Sequence, residues 1–152
     1  MPLVGIVIGS KSDLDSMKAT TDILDGLGVS YELSVISAHR TPEKAREYGL
    51  SAESRGIEVI LAAAWGSAAL PGVMSSWSIL PVIGIPLTSS DMNGVDSLYS
   101  IAQMPPGIPV ACVSIGSWGT RNAAYLAASI LSIKHPDIRD AYNQYRESLA
   151  SG

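Results

Sequence analysis

Leu3-Val4-Gly5-Ile6-Val7-Ile8-Gly9-Ser10-Lys11-Ser12-Asp13 begins as an unbroken apolar run and changes at Gly9 into small polar residues. A short continuous apolar run closed by glycine is how a strand covered on both faces reads, because neither side of its pleat meets water. The polar residues that follow suit the start of a helix. Ser12 is placed to cap it, Asp13 and Asp15 favour its positive end, Leu14, Met17, Leu24 and Leu27 form its inner face, and Gly28 ends it.

The same unit repeats outward from this start. Tyr31 to Ile36 reads as a second strand, followed by Thr41 as N-cap, Pro42 at the first helical position and a helix from Glu43 to Arg55 that ends at Gly56. Val59 to Ala64 is a third buried strand and leads to an alanine-rich helix over Ser67 to Trp77. Val82 to Ile85, closed by Pro86, gives the fourth strand, and Val95 to Ala102 the next helix. Val110 to Ile115 is the fifth, followed by a helix from Arg121 to Ile133, a break at His135-Pro136 and a last polar helix to Leu149. Alternating strands and helices of these lengths predict an α/β fold of three layers: a parallel five-stranded sheet of flavodoxin-like order 2-1-3-4-5 with helices on both faces. No internal repeat or low-complexity linker divides residues 1–152, which are expected to form one domain.

Composition bounds the partners. Hydrophobic residues make up 47% and charged residues 16%, richer in apolar side chains than a small core needs, which predicts that part of the surplus faces other subunits. A formal net charge of −4 offers no general attraction to nucleic acid or an anionic membrane, so a phosphate has to be held by a local site. Cys112 is the lone cysteine and no Cys/His cluster has metal-ligand spacing, which fits a reducing, cytoplasmic setting and no metal site. No apolar stretch approaches the ~20 residues that span a bilayer.

In a sheet of this order, ligands bind beyond the carboxyl ends of the strands where the order reverses, so the loops after the first three strands carry the chemistry. The first, Gly9-Ser10-Lys11-Ser12-Asp13, gathers hydroxyls and backbone N–H groups suited to an anion, although Ser12 and Asp13 also read as plain helix caps. The second, Ser37-Ala38-His39-Arg40-Thr41-Pro42, sets an imidazole beside a guanidinium; arginine can clamp a phosphate while histidine moves a proton. The third runs from Ala63-Ala64-Trp65-Gly66 to Leu70-Pro71-Gly72, small residues around one indole that can stack on a flat ring or pack at an interface.

The strings GSKSD (Gly9–Asp13), SAHRTP (Ser37–Pro42), ALPG (Ala69–Gly72), LPVIGIP (Leu80–Pro86), GVDSLYSIAQMPPGIPV (Gly94–Val110) and NAAYLAA (Asn122–Ala128) follow one another in order over nearly the whole chain. Together they resemble the N5-carboxyaminoimidazole ribonucleotide mutase and aminoimidazole ribonucleotide carboxylase family of purine biosynthesis. That resemblance implies a cofactor-free enzyme that moves a carboxylate from an exocyclic nitrogen to ring carbon 4 of an aminoimidazole ribonucleotide, and a homo-octamer; the absence of a nucleic-acid or membrane partner is the expectation from charge and hydropathy given above. It also implies that Ser10, Ser12 and Arg40 hold the 5′-phosphate, that Asp13 takes the ribose hydroxyls, that Ser37 and Ala38 line the base pocket, and that His39 is the acid and base. Gly9, Ala64, Trp65, Gly66 and Leu70 complete the expected substrate site.

The third loop departs from the bacterial pattern of that family, close to AGAGGAAHLPG, in having Trp65 for a glycine and Ala69 for a histidine. Trp118 and Arg121 likewise add bulk and charge before Asn122. An indole in place of glycine changes the shape of the base pocket. Two alternatives follow from these changes: a diverged paralogue that carboxylates or decarboxylates another ribonucleotide, and the carboxylase branch that uses free carbon dioxide.

Overall fold

Every residue of Val4–Ile8 (β1) is buried, as its apolar composition predicts, because helices cover both sides of it. The computed structural model describes residues 1–152. Four further strands, Tyr31–Val35 (β2), Val59–Ala64 (β3), Val82–Pro86 (β4) and Ala111–Cys112 (β5), join β1 in a parallel sheet of order β2-β1-β3-β4-β5. This is the predicted flavodoxin-like arrangement. Six α-helices accompany it: Lys18–Gly26 (α1), Pro42–Ala52 (α2), Leu70–Trp77 (α3), Val95–Ala102 (α4), Ser117–Leu131 (α5) and Pro136–Ala150 (α6).

The strand period of two sorts the core into halves. Val4, Ile6 and Ile8 of β1, with Leu61 and Ala63 of β3, pack on one face against Leu24 of α1, against Ala123, Ala124, Ala127, Ala128 and Leu131 of α5, and beside Ile138 of α6. On the other face Val7, Ile60 and Ala62 meet Ala45, Tyr48 and Ala52 of α2, Leu70 and Met74 of α3, and Ile101 of α4. Gly5 belongs to this second face, where a Cβ would run into the Tyr48 hydroxyl. α1 and α5 are tied by the buried Thr20, whose hydroxyl donates to the Thr120 carbonyl at 2.7 Å.

Several element boundaries differ from the sequence expectation. After β1 the chain first makes two 3₁₀ turns, Lys11–Asp13 and Asp15–Met17, before α1 begins at Lys18. The cap of the first turn is Ser10, not Ser12, because the Ser10 hydroxyl accepts the Ser12 N–H at 3.3 Å. Leu14, assigned to the inner face, is 43% exposed, since 3₁₀ winding rotates it away from the core. α3 starts at Leu70 and not Ser67, its first turn being replaced by an open loop around Gly66, whose φ is +68°. β5 is two residues long, and α5 begins at Ser117, ahead of the expected Arg121. No helix is long and apolar enough to cross a membrane.

Candidate active site

Strand register brings the three loops together. Ile8 pairs with Val35 on one side and with Ala63 on the other, so the chains leaving β1, β2 and β3 emerge side by side at the carboxyl edge of the sheet. Between them lies an open cleft of about 290 Å³. Its walls are Gly9, Ser10 and Asp13 from the first loop, Ser37, Ala38, His39 and Arg40 from the second, and Ala64, Trp65, Gly66, Ser67, Ala69 and Leu70 from the third. Of the twelve residues expected at the site, only Ser12 is absent from this lining. It stands one step behind, its hydroxyl 2.9 Å from that of Ser10.

The first loop is folded on itself. Ser10 accepts the Ser12 N–H through its side chain and the Asp13 N–H through its carbonyl, the latter at 3.1 Å. Two donors expected to face an anion are therefore used locally, and the α-helix proper starts at Lys18. Hydroxyls, more than an aligned helix dipole, are what this loop presents to a ligand. Asp13 is 2% exposed, and burial lifts its carboxyl above the ordinary range, an effect that the nearby Trp65 side chain and Ser10 backbone oppose without overcoming.

The second loop is a turn closed by its own side chains. Thr41 Oγ1 donates to the Ser37 carbonyl at 2.9 Å and accepts the Ser37 N–H at 3.2 Å, while Ser37 Oγ accepts the Arg40 N–H at 3.1 Å. Thr41 thus spends its hydroxyl on the turn and makes no side-chain cap to α2, correcting the expected N-cap bond. His39 and Arg40 sit exposed at the tip of this closed turn. No carboxylate pairs with Arg40, whose guanidinium is open to an anion from the cleft.

The bulkiest side chain that the third loop brings to the cleft is Trp65, which is 41% exposed. Trp118 lies apart, lining a separate depression with Arg121, Asn122, Tyr125 and Tyr145. The structure does not bring it into the cleft, so the two departures noted in the sequence are separate in space. No group of three or more His, Cys, Asp or Glu side chains is placed to hold a metal ion.

The family model described as AIR carboxylase matches residues 3–151. The chain belongs to the AIR carboxylase family. Among its relatives in that family, an N5-carboxyaminoimidazole ribonucleotide mutase of Pyrococcus abyssi is 56% identical, with 98% of this chain and 84% of the relative aligned. A protein of the same name from Thermotoga maritima is 52% identical over 98% of this chain and 86% of its own. The crystal structure of Treponema denticola PurE superposes with a TM-score of 0.86 at 32% identity, covering 99% of this chain and 93% of that one. Within this AIR carboxylase chain, sequence reading missed Ser67 and Ala69 as walls of the cleft and Thr41 as the fastener of the turn that carries His39 and Arg40. The S-x-x-x-T spacing of Ser37 and Thr41 was the available signal for the turn, since such hydroxyls compete for nearby backbone groups. Ser67 carried none.

Proposed function

We propose that this member of the AIR carboxylase family is an N5-carboxyaminoimidazole ribonucleotide mutase. What carries the reading is the convergence of His39, Arg40, Ser10 and Asp13 on one cleft, in a chain 56% identical to a protein of that name. In this reading Arg40 and the Ser10 and Ser12 hydroxyls take the 5′-phosphate, Asp13 takes the ribose hydroxyls, and Ser37, Ala38, Ala64, Trp65, Gly66 and Leu70 surround the base. His39 gives a proton to the exocyclic nitrogen as the N–CO₂⁻ bond breaks and carbon dioxide forms. Carbon 4 attacks the trapped carbon dioxide, and the neutral imidazole then removes the carbon 4 proton, which restores aromaticity and returns His39 to its first state. Proton and carboxylate both balance within substrate and histidine, so the step as written draws on no cofactor.

A homo-octamer in the cytoplasm belongs to the same proposal. It is supported by exposed apolar side chains such as Ile79, 90% exposed, and by a groove of about 640 Å³ lined in part by Trp77, Ile79, Leu80 and Ile108. Light scattering showing a stable 15.9 kDa monomer at micromolar concentration would refute it.

The test of the activity is an assay of purified protein with the N5-carboxylated ribonucleotide, its carbon 4 isomer, and free aminoimidazole ribonucleotide with bicarbonate. Interconversion of the two carboxylated isomers at a typical enzyme rate of ~10 s⁻¹ is expected; carboxylation of the free ribonucleotide without isomerisation would replace this reading with the carboxylase. His39→Asn should abolish turnover and leave ribonucleotide binding nearly intact, and near-normal turnover by that variant would remove His39 from the chemistry.

A further inference from the structure

Three serines line the cleft, Ser10, Ser37 and Ser67, and two of them are engaged within the chain. Ser10 Oγ accepts the Ser12 N–H at 3.3 Å and lies 2.9 Å from the Ser12 hydroxyl, and Ser37 Oγ accepts the Arg40 N–H at 3.1 Å. Ser67 is exposed, and no group of the chain takes up its hydroxyl. Its backbone is nonetheless fixed. The Ser67 carbonyl accepts the Ala69 N–H at 2.8 Å, the loop turns at Gly66 with φ +68°, and the Ala64 carbonyl at its root accepts the Leu87 N–H at 2.9 Å beside β4. A free donor on an anchored turn, facing a cleft, is available to a ligand.

We infer that Ser67 is a specificity-determining residue, its hydroxyl donating to the carboxylate that the ribonucleotide carries on its base. The inference rests on the proposed mutase reading, in which the substrate has two anionic groups and only the phosphate has a partner. The carboxylate travels with the base, and most of the residues set around the base come from the third loop. The first loop suits it poorly, because Asp13 there is an acid and like charges repel. No acid stands between Ala64 and Leu70, and Ser67 is the one hydroxyl of that stretch; Ala69, two residues on, offers no polar group. A neutral donor also suits the chemistry. The carboxylate must lose its charge as carbon dioxide forms, so a guanidinium that gripped it tightly in the ground state would oppose the bond breaking, whereas a hydroxyl orients it at a smaller cost.

The test compares two probes on the full chain by calorimetry near neutral pH: the carbon 4-carboxylated ribonucleotide, and aminoimidazole ribonucleotide, which lacks the carboxylate. Ser67→Ala removes one exposed hydroxyl that bonds nothing in the chain, so the fold should be undisturbed. It should weaken the carboxylated probe about tenfold, the size of a hydrogen bond to a charged group, and leave the free ribonucleotide unchanged. An equal loss for both probes, or no loss for the carboxylated one, would overturn the inference. Arg40→Ala and Ser37→Ala test the second loop as the competing reader. Arg40→Ala should weaken both probes alike, through the phosphate that they share. A loss confined to the carboxylated probe in either of these variants, with none in Ser67→Ala, would give the carboxylate to the second loop and end the inference. A parent protein that binds neither ribonucleotide refutes instead the mutase reading on which it rests.

Discussion

Replacing Arg40 by alanine isolates the phosphate arm of the proposed site. The guanidinium has no carboxylate partner and stands exposed at the tip of the turn. The backbone bond from Arg40 N–H to Ser37 Oγ, 3.1 Å, survives in any residue with an N–H. Fold stability should therefore stay within ~0.5 kcal/mol of the parent, as for a surface substitution. Binding is another matter, because a hydrogen bond to a charged group contributes ~1.5–3 kcal/mol. At ~1.4 kcal/mol per factor of ten, the dissociation constant of aminoimidazole ribonucleotide should rise about 10- to 150-fold. Calorimetry with the ribonucleotide and with its dephosphorylated nucleoside separates the arms: the nucleoside should bind parent and variant alike. An Arg40→Ala protein that loses nucleoside and nucleotide affinity equally would refute the assignment, since the side chain would then be acting on the base or on the turn.

Three further outcomes are expected. Asp13→Asn should raise the melting temperature at neutral pH, because the folded state holds this carboxyl above its ordinary range and so opposes its ionisation; the gain should vanish below pH 3.8, where folded and unfolded forms are both protonated, and a gain persisting there in thermal scans would contradict the cause. Glu58 behaves oppositely: although burial pushes its carboxyl up, hydrogen bonds from Lys134 at 2.7 Å and His135 at 3.0 Å hold it below the ordinary 4.5. Its stabilisation is complete above the unfolded value and is lost as pH falls through the lower folded one, so Glu58→Gln should flatten the acid side of a urea-midpoint profile below pH 4.5 and an unchanged profile would refute this. Gly119→Ala should destabilise by ~1–3 kcal/mol, outweighing the ~1 kcal/mol helix-propensity gain of alanine, because its Cβ would meet the Ser114 carbonyl oxygen and not a movable side chain; a melting temperature at or above the parent's would contradict the packing.

The sheet order and the composition of the cleft were legible because both depend on repeating or local signals. β1 and β3 are buried on both faces and so read as apolar runs, and the ligand end of a 2-1-3 sheet follows from its order. The 3₁₀ start was not legible, because Ser10 and Ser12 both suit a cap and only their mutual geometry decides between them. β5 was overextended to Val110–Ile115 because apolar residues continue on both sides of the two paired ones: Val110 and Val113 pack into the core, while past Cys112 the chain keeps only single backbone bonds to β4, from Val113 N–H to Gly84 and Gly116 N–H to Pro86.

The brevity of β5 bears on how molecules of this protein meet one another. An outer strand offers a row of unpaired N–H and C=O groups on which a foreign strand can add, and a long, flat row is a template for cross-β growth. Ala111–Cys112 offers two residues of ladder before the chain turns toward Gly116 and α5. That length is well below the five or six residues of an ordinary strand, too little backbone to hold a second chain in register. Copies can therefore crowd against this edge without zipping together, so a protein with apolar side chains on its surface is spared fibril nucleation at that rim.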